Sequence, residues 1–179
     1  MHALLRAILA ALLTPLAVAL AQPTYPYVLQ TVAGSSPLGD GGPATAPVLN
    51  RPEAVAVDSK GNIYISSRWS PRIRRVSPSG TISTFAELAA TDLLVDRSDN
   101  VYASDGNAYI YRITAAGAVS VFAGTGVPGF NGDGPATSTQ LRGPGGMALH
   151  TNGDLYFADM DNHRIRRIDA TGRITTVAG

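Results

Sequence analysis

The sequence lacks cysteine and has little lysine or glutamate. Its 179 residues contain no cysteine, one lysine and two glutamates. Without cysteine there are no disulfides, thiolate nucleophiles, cysteine-ligated zinc sites or iron–sulfur clusters. Lysine and glutamate favour helices, whereas the 19 glycines and 12 prolines favour turns. The composition therefore predicts many short strands and argues against a helical protein.

No excess of charge of one sign is present either. The 14 basic and 13 acidic residues nearly cancel, so no overall positive field attracts nucleic acid or an anionic membrane. Hydrophobic residues make up 45% of the chain, which is enough for a packed core. We therefore expect a folded domain that does not bind nucleic acid.

Residues 1–21 have the three-part layout of a secretory signal peptide. Arg6 precedes an apolar run, and Ala19-Leu20-Ala21 is a small-residue cleavage signal before Gln22. The alternative is an uncleaved membrane anchor, although the run is short for that role. We predict a mature chain of residues 22–179 that is extracytoplasmic, either periplasmic or secreted, and is not inserted in a membrane.

The rest of the chain is a repeat. Each unit has four short apolar runs separated by glycine or asparagine turns, and Tyr64, Tyr102 and Tyr156 occupy the same place in their units. Four-stranded antiparallel units of about 40 residues in tandem are typical of propeller blades. We predict an all-β chain, a partial β-propeller of about three blades plus one extra strand, with repeats at residues 52–87, 90–124 and 144–179.

The third repeat, PGGMALHTNGDLYFADMDNHRIRRIDATGRITTVAG, resembles the NHL repeat of bacterial exported proteins. The first repeat is similar, and the second is one residue shorter and less alike. The resemblance covers about residues 28–179. It implies a β-propeller, commonly six-bladed, that serves mostly as a binding scaffold, although NHL-like folds also include amidating lyases and sugar-lactone hydrolases.

The predicted strands do not close a ring. Residues 28–33 match a fourth, outermost strand, and residues 175–179 form another fourth strand that ends the third complete unit. Three explanations stay open: the chain is a fragment of a longer propeller, two copies complete one ring, or the arc is open. If the chain is a fragment, the missing blades complete the ring. If two copies pair, self-association completes it.

Alternate loops of such a sheet lie on one side, which we expect to be the binding side. Among its residues, the candidates for ligand binding are Trp69, Asp133, Asp159 and His163. The loops around Asp40 and Asp133 suit an Asx turn better than a calcium site, which needs several carboxylates. The residues expected on this side are Asp40, Asp133, Arg68, Trp69, Asp105, Asn107, Asp159, Asp161, Asn162 and His163.

Two further patterns have structural interpretations. A catalytic zinc site usually needs two or more histidines among three ligands, and the mature chain has only His150 and His163. We interpret His163 as a loop cap. We interpret the arginines of the third strands as partners of aspartates in the same or an adjacent blade. The resemblance to NHL repeats implies that Asp159 pairs with Arg164 or Arg166.

These observations predict a non-catalytic exported binding scaffold with no catalytic residues, metal or cofactor. The partner is a protein, a peptide or a glycan. Two alternatives stay open: a fragment of a propeller enzyme, such as a lyase or lactonase, and a fragment of a sensory ectodomain.

Overall fold

Thirteen short strands form the architecture of the described residues, 39–46, 49–67 and 69–179, in a computed structural model. Blade 1 contains β1 (Ala54–Val57), β2 (Ile63–Ser66), β3 (Ile73–Val76) and β4 (Ile82–Ala86). Blade 2 contains β5 (Asp92–Val95), β6 (Val101–Ser104), β7 (Ile110–Ile113) and β8 (Val119–Ala123). Blade 3 contains β10 (Pro144–Leu149), β11 (Leu155–Asp159), β12 (Arg164–Ile168) and β13 (Arg173–Ala178), with β9 (Gly134–Pro135) at its outer edge.

The four main strands of each blade form an antiparallel meander in which each pairs with the next along the chain, and β9 pairs with β13. The three repeated tyrosines have the same register, since Tyr64, Tyr102 and Tyr156 each stand opposite an arginine of the third strand. The first strands lie side by side, with β1 against β5 and β5 against β10. The prediction of four-stranded antiparallel blades is confirmed.

Apolar side chains fill the spaces between neighbouring blades. Tyr64 packs edge-on against Phe85 with ring centres 4.7 Å apart, and Tyr102 packs against Phe122 in the same way at 4.8 Å. These pairs belong to two separate clusters, one between blades 1 and 2 and one between blades 2 and 3. Each fully buried large apolar side chain contributes about 1.5–3 kcal/mol, so the two clusters hold the blades together.

The outer edges of the blades differ. In blade 1 the segment 41–44 runs along β4, where Ile82 N donates to Gly42 O at 3.1 Å, and in blade 3 β9 runs along β13. Ile82 and Ile174 are fully buried beneath these segments, whereas Val119 at the equivalent position of blade 2 is 47% exposed. Blade 2 follows a short connection, residues 87–91, which supplies no such segment.

The face of blade 1 that points away from blade 2 is also apolar. Val55 and Val57 of β1 are 64% and 57% exposed. The counterpart of Val55 in blade 2, Leu93, is buried in the cluster between blades 1 and 2, and that of Val57, Val95, is half-buried beside it. Among the described residues, no sheet covers this face of blade 1.

Three sequence predictions fall outside the described residues: the signal peptide at 1–21, the extra strand at 28–33, and the placement of Arg68. Within the part of the chain that the structure describes, no helix has the length and apolarity needed to span a bilayer.

Candidate binding face

The long loops lie together on one side of the blades. Because successive strands run in opposite directions, the loops after the second strands share a side with the connections between blades. We call this side the loop face and define it as residues 69–72, 87–91, 105–109, 124–143 and 160–163. The tight turns within the first and third hairpins form the opposite side, the hairpin face.

Hydrogen bonds fix the loops of this face to one another. Gly143 N donates to Asn107 O at 2.9 Å, which ties the linker 124–143 to blade 2. Asn162 Nδ2 donates to Gly129 O at 2.8 Å, which ties the same linker to blade 3. The linker is therefore fixed to the blades on either side of it, and the loop face offers a preorganised surface.

Asp159 lies beneath this surface and is fully buried. One carboxylate oxygen accepts from Arg142 N at 2.7 Å, and the other accepts from Asn162 Nδ2 at 2.9 Å and Arg166 Nη1 at 3.2 Å. The prediction that Asp159 pairs with Arg164 or Arg166 is confirmed for Arg166. With both oxygens engaged by donors of the protein, this carboxylate organises the loops.

Asp133 connects the linker to blade 3. Its Oδ1 accepts from Thr176 N at 3.0 Å, from Thr176 Oγ1 at 2.9 Å and from Arg166 Nη2 at 3.3 Å. Partial burial alone would raise the pKa of Asp133, but these hydrogen bonds and the charges of Arg166 and Arg173 outweigh burial and lower it. The carboxylate therefore bonds across to blade 3 instead of closing an Asx turn.

Asp40 has the same arrangement in blade 1. It accepts from Arg74 Nη2 at 2.6 Å and from Thr84 Oγ1 at 3.2 Å. Gly39 O accepts from the same guanidinium nitrogen at 3.1 Å, as Gly132 O accepts from Arg166 at 2.8 Å. The repeated aspartate of the two linkers is thus a repeated anchor.

Blade 2 lacks this anchor and uses its aspartate locally. Asp105 Oδ1 accepts from the backbone N–H groups of Asn107 at 2.8 Å, Ala108 at 3.0 Å and Tyr109 at 3.0 Å. At the position of Arg74 and Arg166 in the third strand, blade 2 has a tyrosine. The carboxylate of Asp105 therefore shapes its own loop.

His163 ends the short 3₁₀ helix Met160–Asn162. Its backbone is left-handed, with φ 55°, and its N–H donates to Met160 O at 2.9 Å, which confirms the interpretation as a loop cap. Among the residues that the structure describes, no group of three or more His, Asp or Glu side chains is arranged to hold a metal ion.

Large apolar side chains project from the loop face. Trp69 is 62% exposed, Val127 58%, Met160 54% and Phe130 41%. Arginines pack on both aromatic rings, with Arg164 Cζ 4.0 Å from the centre of Phe130 and Arg51 Cζ 5.6 Å from that of Trp69. Exposed apolar residues held on rigid loops are a common feature of interaction sites.

The structure separates the four candidate residues by role. Asp133 and Asp159 bond to other parts of the protein, and the backbone of His163 caps a loop. Of the four, only Trp69 is a large exposed apolar side chain. Sequence analysis missed Phe130, whose available signal was an aromatic residue inside a glycine-rich linker. The exposed aromatic rings, more than the aspartates, define the candidate binding surface.

Comparison with known proteins supports the fold. No family model matches the chain. Teneurin-3 of Danio rerio is 32% identical over 174 residues, a match that covers 79% of this chain and 6% of that protein. The chain thus spans only a small part of the curated relatives that it matches.

Solved structures with a similar fold also support a β-propeller. The auxiliary nutrient binding protein from Bacteroides ovatus has 25% identity and a TM-score of 0.62, covering 72% of this chain and 36% of that one. Virginiamycin B lyase from Staphylococcus aureus has 22% identity and a TM-score of 0.55, covering 72% and 41%. The three blades form part of a β-propeller, as the sequence predicts.

Proposed function

We propose that this chain is a non-catalytic, exported segment of an NHL-type β-propeller that binds a protein ligand through its loop face. One observation carries the proposal: Trp69, Phe130 and Met160 are exposed on loops that internal hydrogen bonds hold in place. Aromatic residues and methionine are enriched at the cores of protein interfaces. Rigid presentation lowers the entropy that binding costs.

The polar groups of the loop face support a binding role over a catalytic one. A catalytic carboxylate must reach the proton that it transfers. The oxygens of Asp159 accept three hydrogen bonds from the protein and are fully buried, and Asp133 is engaged by Thr176 and Arg166. These carboxylates stabilise the loops.

The similar structures include both a nutrient-binding protein and a lyase. A propeller accommodates many unrelated activities, so the fold alone does not choose between them. A piece of a propeller enzyme and a piece of a sensory ectodomain are the alternatives, and a glycan is the alternative ligand. The exposed apolar side chains favour a protein ligand.

The test is direct binding with matched variants. The full chain would capture a ligand from the extracytoplasmic fraction of its source, and calorimetry would then measure the affinity of the purified ligand. Trp69→Ala and Phe130→Ala are each expected to weaken binding at least about tenfold, because losing a central aromatic side chain costs about 2 kcal/mol or more. Val119→Ala, on the outer edge of blade 2, is the control.

Equal affinity in all variants would contradict the use of the loop face. Turnover of a lactone or a peptide substrate by the chain would contradict the non-catalytic assignment. A glycan that binds in a Trp69-dependent manner would support the loop face as the site but contradict a protein ligand.

Export has its own test. Cleavage after Ala21 would leave Gln22 at the amino terminus of protein from the cell envelope or the medium. Mass spectrometry of the intact protein reads this directly. An uncleaved chain in the cytoplasm would contradict the proposal.

A further inference from the structure

On the hairpin face, an aspartate carboxylate bridges the first turns of blades 1 and 2. Between the first turns of blades 1 and 2, Asp99 accepts from Ser59 N at 2.9 Å and from Ser59 Oγ at 3.0 Å, with Lys60 Nζ at 3.6 Å. Hydrogen bonds from the backbone and hydroxyl of Ser59 lower the pKa of Asp99. A side chain of blade 2 thus fills the gap to blade 1.

The same position between blades 2 and 3 has no side chain. The turns of these blades correspond by their hydrogen bonds, since Asp99 N donates to Asp96 O and Gly153 N donates to His150 O, both at 3.0 Å. Gly153 therefore stands where blade 2 has Asp99. A Cβ built on Gly153 would meet nothing within 4 Å, so the space beside it is open.

The residue that would face this carboxylate also differs between the two junctions. By the same correspondence, Arg97 of blade 2 stands where blade 1 has Ser59. A cleft of about 280 Å³ occupies the junction. Its lining residues are Asp96, Arg97, Ser98, Tyr102, Leu149, His150, Thr151, Asn152 and Gly153.

Among the described residues, the guanidinium of Arg97 in this cleft has no hydrogen bond or ion pair, and the Asp96 carboxylate lines the same cleft. The neighbouring Asp96 is occupied by its own turn, where it accepts from Ser98 N at 2.8 Å and from Asn100 N at 2.9 Å and Nδ2 at 2.8 Å. Nδ1 of His150 lies 2.7 Å from Asn152 Oδ1, so this ring is held by its own turn.

We propose that this cleft binds a small organic carboxylate, with Arg97 as its counter-ion, in the place that the Asp99 carboxylate fills at the neighbouring junction. A guanidinium pairs with a carboxylate through two parallel hydrogen bonds, which gives both strength and orientation. Leu149 and Tyr102 supply apolar walls for the rest of the ligand. The site is on the hairpin face, so it goes beyond the proposed function and is independent of it.

The aspartate at the neighbouring junction suggests which small carboxylates to test as ligands. Acetate is the side chain of aspartate without its backbone, and succinate adds a second carboxylate within a cleft large enough to hold it. Nuclear magnetic resonance of the full chain would follow the amides of Arg97 and Gly153 during titration with acetate, succinate and inorganic phosphate. Saturable shifts are expected with both carboxylates, with succinate binding more tightly than phosphate.

Three variants locate the site. Arg97→Gln is expected to weaken succinate binding at least about tenfold, which corresponds to about 1.4 kcal/mol. Gly153→Asp supplies the missing carboxylate from the protein and is expected to block the site, since aspartate tolerates a left-handed backbone. Arg173→Gln removes an equal charge from another turn of the hairpin face and is expected to leave binding unchanged.

The proposal would be overturned by an absence of saturable shifts with either carboxylate, by equal affinity in Arg97→Gln, or by tighter binding of phosphate than of succinate. Because Arg97 is exposed, its replacement tests the site even where Gly153→Asp fails to fold.

Discussion

Blades 1 and 3 differ from blade 2 in two features that occur together. In blades 1 and 3 a linker with an aspartate runs along the outer edge, and the third strand has Arg74 or Arg166 beneath it. Blade 2 follows a short connection and has Tyr111 at that position. The arginine and the linker are therefore two parts of one device that covers the edge of a blade.

The two arginines themselves differ in how many carboxylates they meet. Arg166 bonds to Asp133 and to the fully buried Asp159, whereas Arg74 bonds to Asp40, whose side chain is 54% exposed. In blade 1 a serine, Ser67, follows the second strand where blade 3 has Asp159, and it bonds to Asn50 O. Blade 3 thus contains a buried ion pair that blade 1 lacks.

The largest expected effect comes from breaking that buried pair. Arg166→Met leaves Asp159 charged and buried, and removing one partner of such a pair typically costs about 3–5 kcal/mol. Arg74→Met leaves Asp40 in contact with water, so we expect a smaller loss of about 1–3 kcal/mol. Urea unfolding followed by circular dichroism would measure both, and equal losses would contradict the distinction between the blades.

The next largest effect on stability is expected from the outer edge of blade 1, which a linker covers, in comparison with the uncovered edge of blade 2. Ile82 is fully buried beneath the linker of blade 1, and Ile-to-Ala changes in such sites cost about 2–5 kcal/mol. Val119 is the equivalent residue of blade 2 and is 47% exposed, so Val119→Ala is expected to change stability by less than about 1 kcal/mol. Thermal unfolding of the two variants compares them, and a large loss in Val119→Ala would show that something covers β8.

The blades were predictable from the sequence, whereas the anchors were only partly so. Short runs separated by glycine turns fix hairpins through local chemistry, and the repeated tyrosines set the register of the three units. The sequence also matched Asp40 with Asp133. It could not give their partners, because Asp40 meets Arg74 from 34 positions away along the chain.

The candidate binding surface could not be predicted in full from the sequence, because it too depends on contacts between distant residues. Trp69 stands out by its residue type, whereas the only sequence signal of Phe130 is an aromatic residue in a glycine-rich linker, and Met160 resembles an ordinary core residue. Their exposure depends on how the linker folds over blade 3, through contacts such as Asn162 with Gly129. The cleft beside Arg97 likewise depends on which turns of neighbouring blades face each other.

Acid should weaken the linker anchors in a predictable direction. Partial burial opposes ionisation of Asp40, but hydrogen bonds from Thr84 and the charges of Arg74 and Arg72 outweigh it and lower its pKa below the usual 3.8. A carboxylate whose pKa is lower in the folded state stabilises the fold above its unfolded pKa and stops doing so as the pH falls through its folded pKa.

The matched variant makes this measurable. Asp40→Asn cannot ionise, so its deficit in unfolding free energy relative to the unmodified chain is expected to be full near neutral pH and to shrink below about pH 4. Asp133→Asn should show the same trend, because the pKa of Asp133 is lowered by the corresponding contacts. Urea unfolding at several pH values tests both, and a deficit that grows toward low pH would contradict the sign.

The smallest effect is expected at the position where blade 2 departs from the others. Tyr111 packs near Tyr109, with ring centres 5.3 Å apart, and among the described residues its hydroxyl has no hydrogen-bond partner. Tyr111→Phe keeps the ring and removes only that hydroxyl, so the unfolding free energy should change by less than about 0.5 kcal/mol. A loss above about 1 kcal/mol would show that the hydroxyl is bonded. In that case blade 2 would have a polar anchor of its own at the position that blades 1 and 3 give to arginine.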